Sequence, residues 1–245
     1  MTTDIVTVMW KEWKELLASQ GSARGGLLSL IVTLGLFGIV FPLQGGAGWI
    51  ASGLPLLNAA WLPFFLLNGM VVDSFAGERE RKTLETLLGS RLSDRAILFG
   101  KLGAAISYGW GLTLLSFALA LVSLNVAPGH DHLLLYSPTV GLGFLVLSLL
   151  GAGLAAGSGI LVSLRAATVR QAYQQLSLTS MLLPALLVLG FLVLPAGWKD
   201  QSLQTLVTLS MAQLVVAVGL VLVVVDAGLI ALAMARFQRA RLILD

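Results

Sequence analysis

The sequence contains no cysteine, which excludes disulfides, thiolate nucleophiles and cysteine metal sites together. Charge is scarce as well: Asp, Glu, Lys and Arg make up 11% of the 245 residues, against roughly 25% in an ordinary soluble domain. No GxxxxGK[ST] phosphate loop is present, so the chain does not cradle and hydrolyse a nucleoside triphosphate by that route. HExxH and GxSxG are missing too. The only histidines, His130 and His132, flank Asp131 in a predicted external loop. A metal could touch all three, but residues two apart converge only with an unusual backbone, and a solvated loop is the plainer reading. The formal charge of +3 rests on basic residues too few and scattered for a phosphate-binding surface, so no nucleic-acid partner is expected.

What is abundant is apolar. Hydrophobic residues make up 57% of the chain and the mean hydropathy is +0.92. Uncharged apolar runs recur near the roughly 20 residues that one helical crossing requires, too long and too continuous for the alternating strands of a barrel. The expected fold is therefore all-α, a polytopic membrane protein with six transmembrane helices at 25–41, 54–72, 102–126, 139–164, 176–194 and 205–235. Residues 1–245 read as a single transmembrane domain with no separate soluble domain and no cleavable signal.

Basic residues support this division, because short loops retained in the cytoplasm carry excess Lys and Arg. Lys11, Lys14 and Arg24 precede the first span; Arg79, Arg81, Lys82, Arg91, Arg95 and Lys101 lie between the second and third. Arg165 and Arg170 separate the fourth and fifth, and Arg236, Arg239 and Arg241 follow the sixth. Only Lys199 falls on the opposite side. Both termini are thus expected in the cytoplasm.

Residues 4–19 read as an interfacial amphipathic helix. Ile5, Val6, Met9, Trp10, Trp13, Leu16 and Leu17 gather on one arc, while Thr7, Lys11, Lys14 and Glu15 lie opposite, with Val8 as the imperfection. Trp10, Lys11, Trp13 and Lys14 suit the headgroup level and form the expected membrane anchor. The long polar stretch, 74–100, predicts a short cytoplasmic helix beginning GERERKTLETLLGS at Gly77. Glu78 with Lys82, and Arg81 with Glu85, sit four apart and support an exposed helix. Leu84, Leu87 and Leu88 form a narrow apolar seam, Gly89 a plausible stop and Ser93 a cap for the next helix. The plainer alternative is a solvated connector whose leucines rest on the membrane.

Within the spans, GAGLAAGSG at Gly151–Gly159 matches the GxGxxA form of the dinucleotide fingerprint, but it lies inside an apolar span and lacks the strand, helix start and acid that the fingerprint needs. Gly153, Gly157 and Gly159 instead suit close helix packing. Asp226 is the one carboxylate deep within a span, ten residues before Arg236 and so about 15 Å from it along the axis. It is either a functional acid or a protonated donor holding two helices together. Gly219, seven residues earlier on its face, suggests that this face meets another helix. Pro55, Pro63 and Pro184 are candidates for kinks.

Two stretches resemble the permease subunits of ATP-binding-cassette exporters, specifically the ABC-2-type permeases. WKEWKELL at Trp10–Leu17 is similar to that family's interfacial connecting helix, and DSFAGERERKTLETLLGSRLSDRAILFGK at Asp73–Lys101 resembles its segment between the second and third spans. The resemblance implies an exporter permease without catalytic residues, located in a prokaryotic cytoplasmic membrane among its lipids. It further implies pairing with a second copy or a homologous permease, the substrate path running between the two. Two cytoplasmic ATPase subunits would supply ATP and Mg²⁺, while this chain binds no cofactor or metal of its own. Glu78, Arg79, Glu80, Arg81, Lys82, Thr83, Leu84, Glu85, Leu87 and Leu88 would then form the coupling helix, its charges selecting the ATPase and its leucines anchoring in it. The rivals are an ion-coupled transporter using Asp226 and a membrane-embedded enzyme. Neither internal repeats nor clustered polar groups at membrane depth favour them.

Overall fold

The computed structural model describes residues 1–22, 24–128, 132–193, 195, 197 and 208–237, and its regular structure there is entirely helical. Helix α1 is Thr2–Ser22; α2, Arg24–Gly35, continues through a π-helical turn at Leu36–Val40 into α3, Phe41–Gly45. After α4, Ala47–Ala51, comes α5, Leu54–Val72, which a second π-helical turn at Asp73–Gly77 extends into α6, Glu78–Glu80. Then follow α7, Leu84–Leu88; α8, Asp94–Val126; α9, Pro138–Arg165; α10, Val169–Val193; and α11, Met211–Arg236.

Among the described residues, five stretches are long and apolar enough to cross a membrane: Gly26–Gly45, Leu54–Glu80, Asp94–Val126, Pro138–Arg165 and Met211–Arg236. They contain most of five expected spans; the second, third and fourth have wider bounds, the first is shifted towards its C-terminal end, and the last begins later, at Met211. Expected span 176–194 falls on α10 except for Leu194, which lies outside the described residues, as do 205–207, His130, Asp131 and the C-terminal arginines 239 and 241. The wider bounds have a local cause. Helix α8 starts eight residues before the apolar run because the Ser93 hydroxyl accepts the Ala96 N–H at 3.2 Å, and a capped helix does not wait for hydropathy to rise.

Both π-helical turns sit where the backbone ladder is interrupted. Pro42 has no N–H to give to Gly38, and the Gly38 carbonyl instead accepts from the Ser123 hydroxyl of α8 at 3.4 Å. At the second turn no proline is involved. Ser163 of α9, fully buried, inserts its hydroxyl, accepting the Phe75 and Ala76 N–H groups at 3.1 and 2.9 Å and donating to the Val72 carbonyl at 2.8 Å. One side chain thus bonds three main-chain groups at the turn and fixes it to α9.

Helix α9 packs along α5 on one side and α11 on the other, and its small residues make that possible. A Cβ on Gly151 would lie 2.7 Å from the Ala60 carbonyl oxygen and 3.2 Å from that of Ala59, the carbonyl left without its helical donor by Pro63. A Cβ on Gly159 would lie 2.4 Å from Val71 Cγ1. The buried core continues from this seam through Phe75, Leu84, Ile97, Leu98 and Phe237 towards the end of the bundle that carries most of the basic residues.

Candidate functional site

The expected coupling helix is broken into two pieces. Helix α6 ends at Glu80, with the Thr83 N–H bonded to the Glu78 carbonyl at 2.9 Å and the Lys82 N–H to that of Arg79 at 3.1 Å. These are the two bonds of a Schellman stop, with Lys82 in its left-handed position at φ 57°. Glycine usually marks that position; a lysine there left no sequence signal, so the stop was expected at Gly89, which instead ends the second piece, α7. The predicted four-apart ion pairs do not form. Arg81 turns back to Asp73, its two terminal nitrogens 3.1 and 3.0 Å from the two carboxylate oxygens, and this hydrogen bonding raises the guanidinium's pKa. Glu78 is buried away from Lys82.

Other members of the segment also point inwards. Arg79 donates to the carbonyls of Leu164, at 3.1 Å, and Ala166, and Glu80 accepts the Val169 N–H at 2.9 Å, so α6 grips the turn between α9 and α10. Leu84 is 5% exposed and belongs to the core of the bundle, which removes it from the predicted docking seam. Leu87 packs partly against that core, and the Leu88 side chain lies outside those described. Lys82, Thr83, Glu85, Thr86 and Arg91 remain exposed.

At the centre of this end is a buried charge cluster. The Lys101 side chain, at the start of the apolar part of α8, is 1% exposed and donates to Glu12 Oε1 at 2.8 Å, Glu78 Oε1 at 3.0 Å and the Ser74 carbonyl at 2.8 Å, while standing 5.1 Å over the Phe75 ring. Lys11 reaches Glu78, Glu15 and Glu12 at 3.1, 3.3 and 3.5 Å. Burial alone would lower the Lys11 pKa, but Glu12, Glu78 and Glu15 outweigh it and hold the ammonium up to about 12. The cluster joins α1, α6 and α8.

Helix α1 is accordingly rotated relative to the predicted anchor. Val8, the supposed imperfection, is 2% exposed, and a Cβ on Gly100 of α8 would meet it at 2.5 Å. Trp13 faces inwards, donating to the Ser107 hydroxyl at 3.1 Å and meeting the Tyr108 ring edge-on. Of the four anchor residues, Trp10 is exposed with Lys14 over its ring at 5.5 Å, whereas Lys11 and Trp13 engage the bundle. Val8 and Glu12 share one face at four-residue spacing. An acid beside the apolar arc was the signal that this helix needed a cationic partner rather than only a membrane surface.

Beside the cluster opens a cleft of about 1020 Å³. It is lined at its charged end by Lys11, Glu15, Asp73, Glu78, Arg81 and Lys101, and elsewhere by residues of α2 and α5 that include Ser29, Leu30, Thr33, Phe65, Asn68 and Gly69. Tyr173 of α10 closes one wall.

Asp226 does not line the cleft. It is buried on α11 against α9, where a Cβ on Gly153 would lie 2.7 Å from its Oδ2, and its Oδ1 has no hydrogen-bond partner among the described residues. Gly157 faces Leu229, with 3.2 Å from its Cβ position to Leu229 Cβ, while Gly159 turns to α5 rather than α11. Gly219 is buried in line with Asp226 and Ala233, seven apart, but only Leu150 comes near it, at 3.9 Å. A neutral, hydrogen-bonding side chain suffices for such a position. Asp226→Asn is therefore expected to retain transport within about twofold, while Asp226→Leu, too large for the space at Gly153, lowers the yield of folded protein; transport and size-exclusion profiles in reconstituted membranes check this.

The sequence model for ABC-2 type transporters matches residues 3–213. No curated protein gives a significant match. The matched region takes in α1, the charge cluster, the broken segment at Glu78–Leu88, the cleft and the α5–α9 seam. This integral membrane chain, with five stretches among its described residues long and apolar enough to cross a membrane and a charged end built around Lys101, belongs to the ABC-2 type transporter family, as a membrane component of transport rather than a catalytic subunit.

Proposed function

We propose that the chain is the permease of an ATP-driven exporter, paired with a second copy or a homologous permease and docked on two cytoplasmic ATPase subunits that carry ATP and Mg²⁺. Both termini lie in the cytoplasm of a prokaryotic inner membrane, which places the basic residues on the retained side, and α10 supplies a sixth crossing. The observation that carries this reading is the clamping of α6. Ser163, Arg79 and the Lys101 cluster tie it to α9, the turn before α10, α8 and α1. A push on the exposed edge of this segment is thereby delivered to several membrane helices at once, as a partner-driven rigid-body transition requires.

The docking edge is the exposed run Lys82, Thr83, Glu85, Thr86 and Arg91, not the leucine seam. Exchanging its charges, Lys82→Glu with Glu85→Lys, is expected to weaken capture of the ATPase about tenfold while leaving the permease's own melting temperature unchanged, since exposed charges tune association more than folding. Copurification from membranes co-expressing the ATPase measures it. Undiminished capture would move the docking edge elsewhere.

A further inference from the structure

The cleft carries more chemistry than a coupling device needs. Its lining includes Ser29 and Thr33 of α2 and Asn68 of α5, and its volume of about 1020 Å³ lies just above the roughly 300–1,000 Å³ typical of ligand sites. Among the described residues, four lining carboxylates, Glu12, Glu15, Asp73 and Glu78, face three cations, Lys11, Arg81 and Lys101, and each of those cations is already bonded to one of the carboxylates. The lining is short of donors. Two buried oxygens on lining residues have no hydrogen-bond partner among the described residues: Glu78 Oε2, on a residue 4% exposed, and Asn68 Oδ1, beside an amide nitrogen that donates to Ser177. Buried acceptors left in this state are costly, and a ligand that brings N–H groups removes the cost.

From this we infer that the cleft is the entry site for substrate and that it takes a cationic amphiphile: a protonated amine at the charged end, beside Glu15, Asp73 and Glu78, with an apolar body along Leu30, Phe65 and Met70. The inference rests on the exporter reading and names its substrate class. Among the described residues, an anionic head group would meet an excess of carboxylates and no uncommitted lining cation.

The test uses the full chain in nanodiscs of uncharged lipid, without ATPase, and a long-chain primary amine carrying a diazirine in its tail. Saturable photolabelling is expected on peptides spanning 26–33 and 65–70, at least tenfold stronger than with the same chain ending in a sulfonate. Gly69 and Gly26 line the cleft, and a Cβ on either meets nothing within 4 Å. Gly69→Phe, or independently Gly26→Phe, puts a ring at the lining and should cut labelling at least tenfold with unchanged melting. Glu78→Gln should reduce the preference for amine over sulfonate. Equal labelling by the sulfonate, indifference to both phenylalanines, or label spread evenly over the lipid-facing helices would overturn the inference. Because no ATPase is involved, such a failure leaves the exporter reading to its own test, the capture of the ATPase.

Discussion

Lys101→Met is expected to lose about 3–5 kcal/mol of stability, the usual cost of removing one partner from a buried ionic cluster. The substitution keeps most of the side-chain volume, so a cavity does not account for the loss. What remains is Glu12 and Glu78, both buried, facing Lys11 alone, with the Ser74 carbonyl stripped of its donor. The expected outcome is a protein that inserts but elutes broadly in size exclusion and melts well below wild type. A double-mutant cycle separates charge from packing: Lys101→Met with Glu12→Gln removes one charge of each sign and should recover part of the loss, because the two residues are directly coupled at 2.8 Å. Lack of any recovery would mean that the lysine acts through its packing on Phe75.

Ser163→Ala is the second large effect. It deletes a single oxygen, yet three main-chain groups of the π-helical turn lose their partner: the N–H groups of Phe75 and Ala76 and the carbonyl of Val72. Each buried group left unpaired costs about 1–3 kcal/mol, so a total of about 3 kcal/mol or more is expected. Ser163→Thr keeps the hydroxyl and should fall between the two. Hydrogen exchange at Phe75 and Ala76 reads the effect where it arises; protection equal to wild type in the alanine variant would mean that the turn is held by its neighbours and not by this hydroxyl.

These two residues also mark the boundary of what the sequence makes legible. The helices, their order and the basic end follow from hydropathy and from Lys and Arg placement, which act locally. The clamp does not, because Glu12 and Lys101 are 89 residues apart and Ser163 and Ala76 are 87 apart. Lys101 reads as one more boundary lysine and Ser163 as one more small residue in a packed span. Leu84 illustrates the converse. Four-residue spacing predicts a docking seam, but the αL stop at Lys82 redirects the chain and turns Leu84 into the core. Leu84→Asp would therefore unfold this end of the permease and cannot serve as a probe of docking. Glu78 and Arg79 were expected to face a partner on the strength of their charge; each finds its counterpart inside the chain. In α9 each boundary differs from expectation by one residue, whereas α11 ends one residue later than expected and starts at Met211 rather than at 205.

The central claim is that the exposed edge after α6 is where an ATPase drives this permease, and one crosslinking measurement addresses it. The chain has no native cysteine, so Thr86→Cys, exposed on α7, provides a single reactive site, and Leu133→Cys, 74% exposed in the connection between α8 and α9, provides the control at the other end of the bundle. With the ATPase subunit co-expressed and a short thiol-to-amine crosslinker added to membranes, the account predicts a permease–ATPase adduct from position 86, diminished by the Lys82→Glu, Glu85→Lys exchange, and none from position 133. An adduct from position 133, or none from position 86 in membranes where the complex hydrolyses ATP, would contradict it.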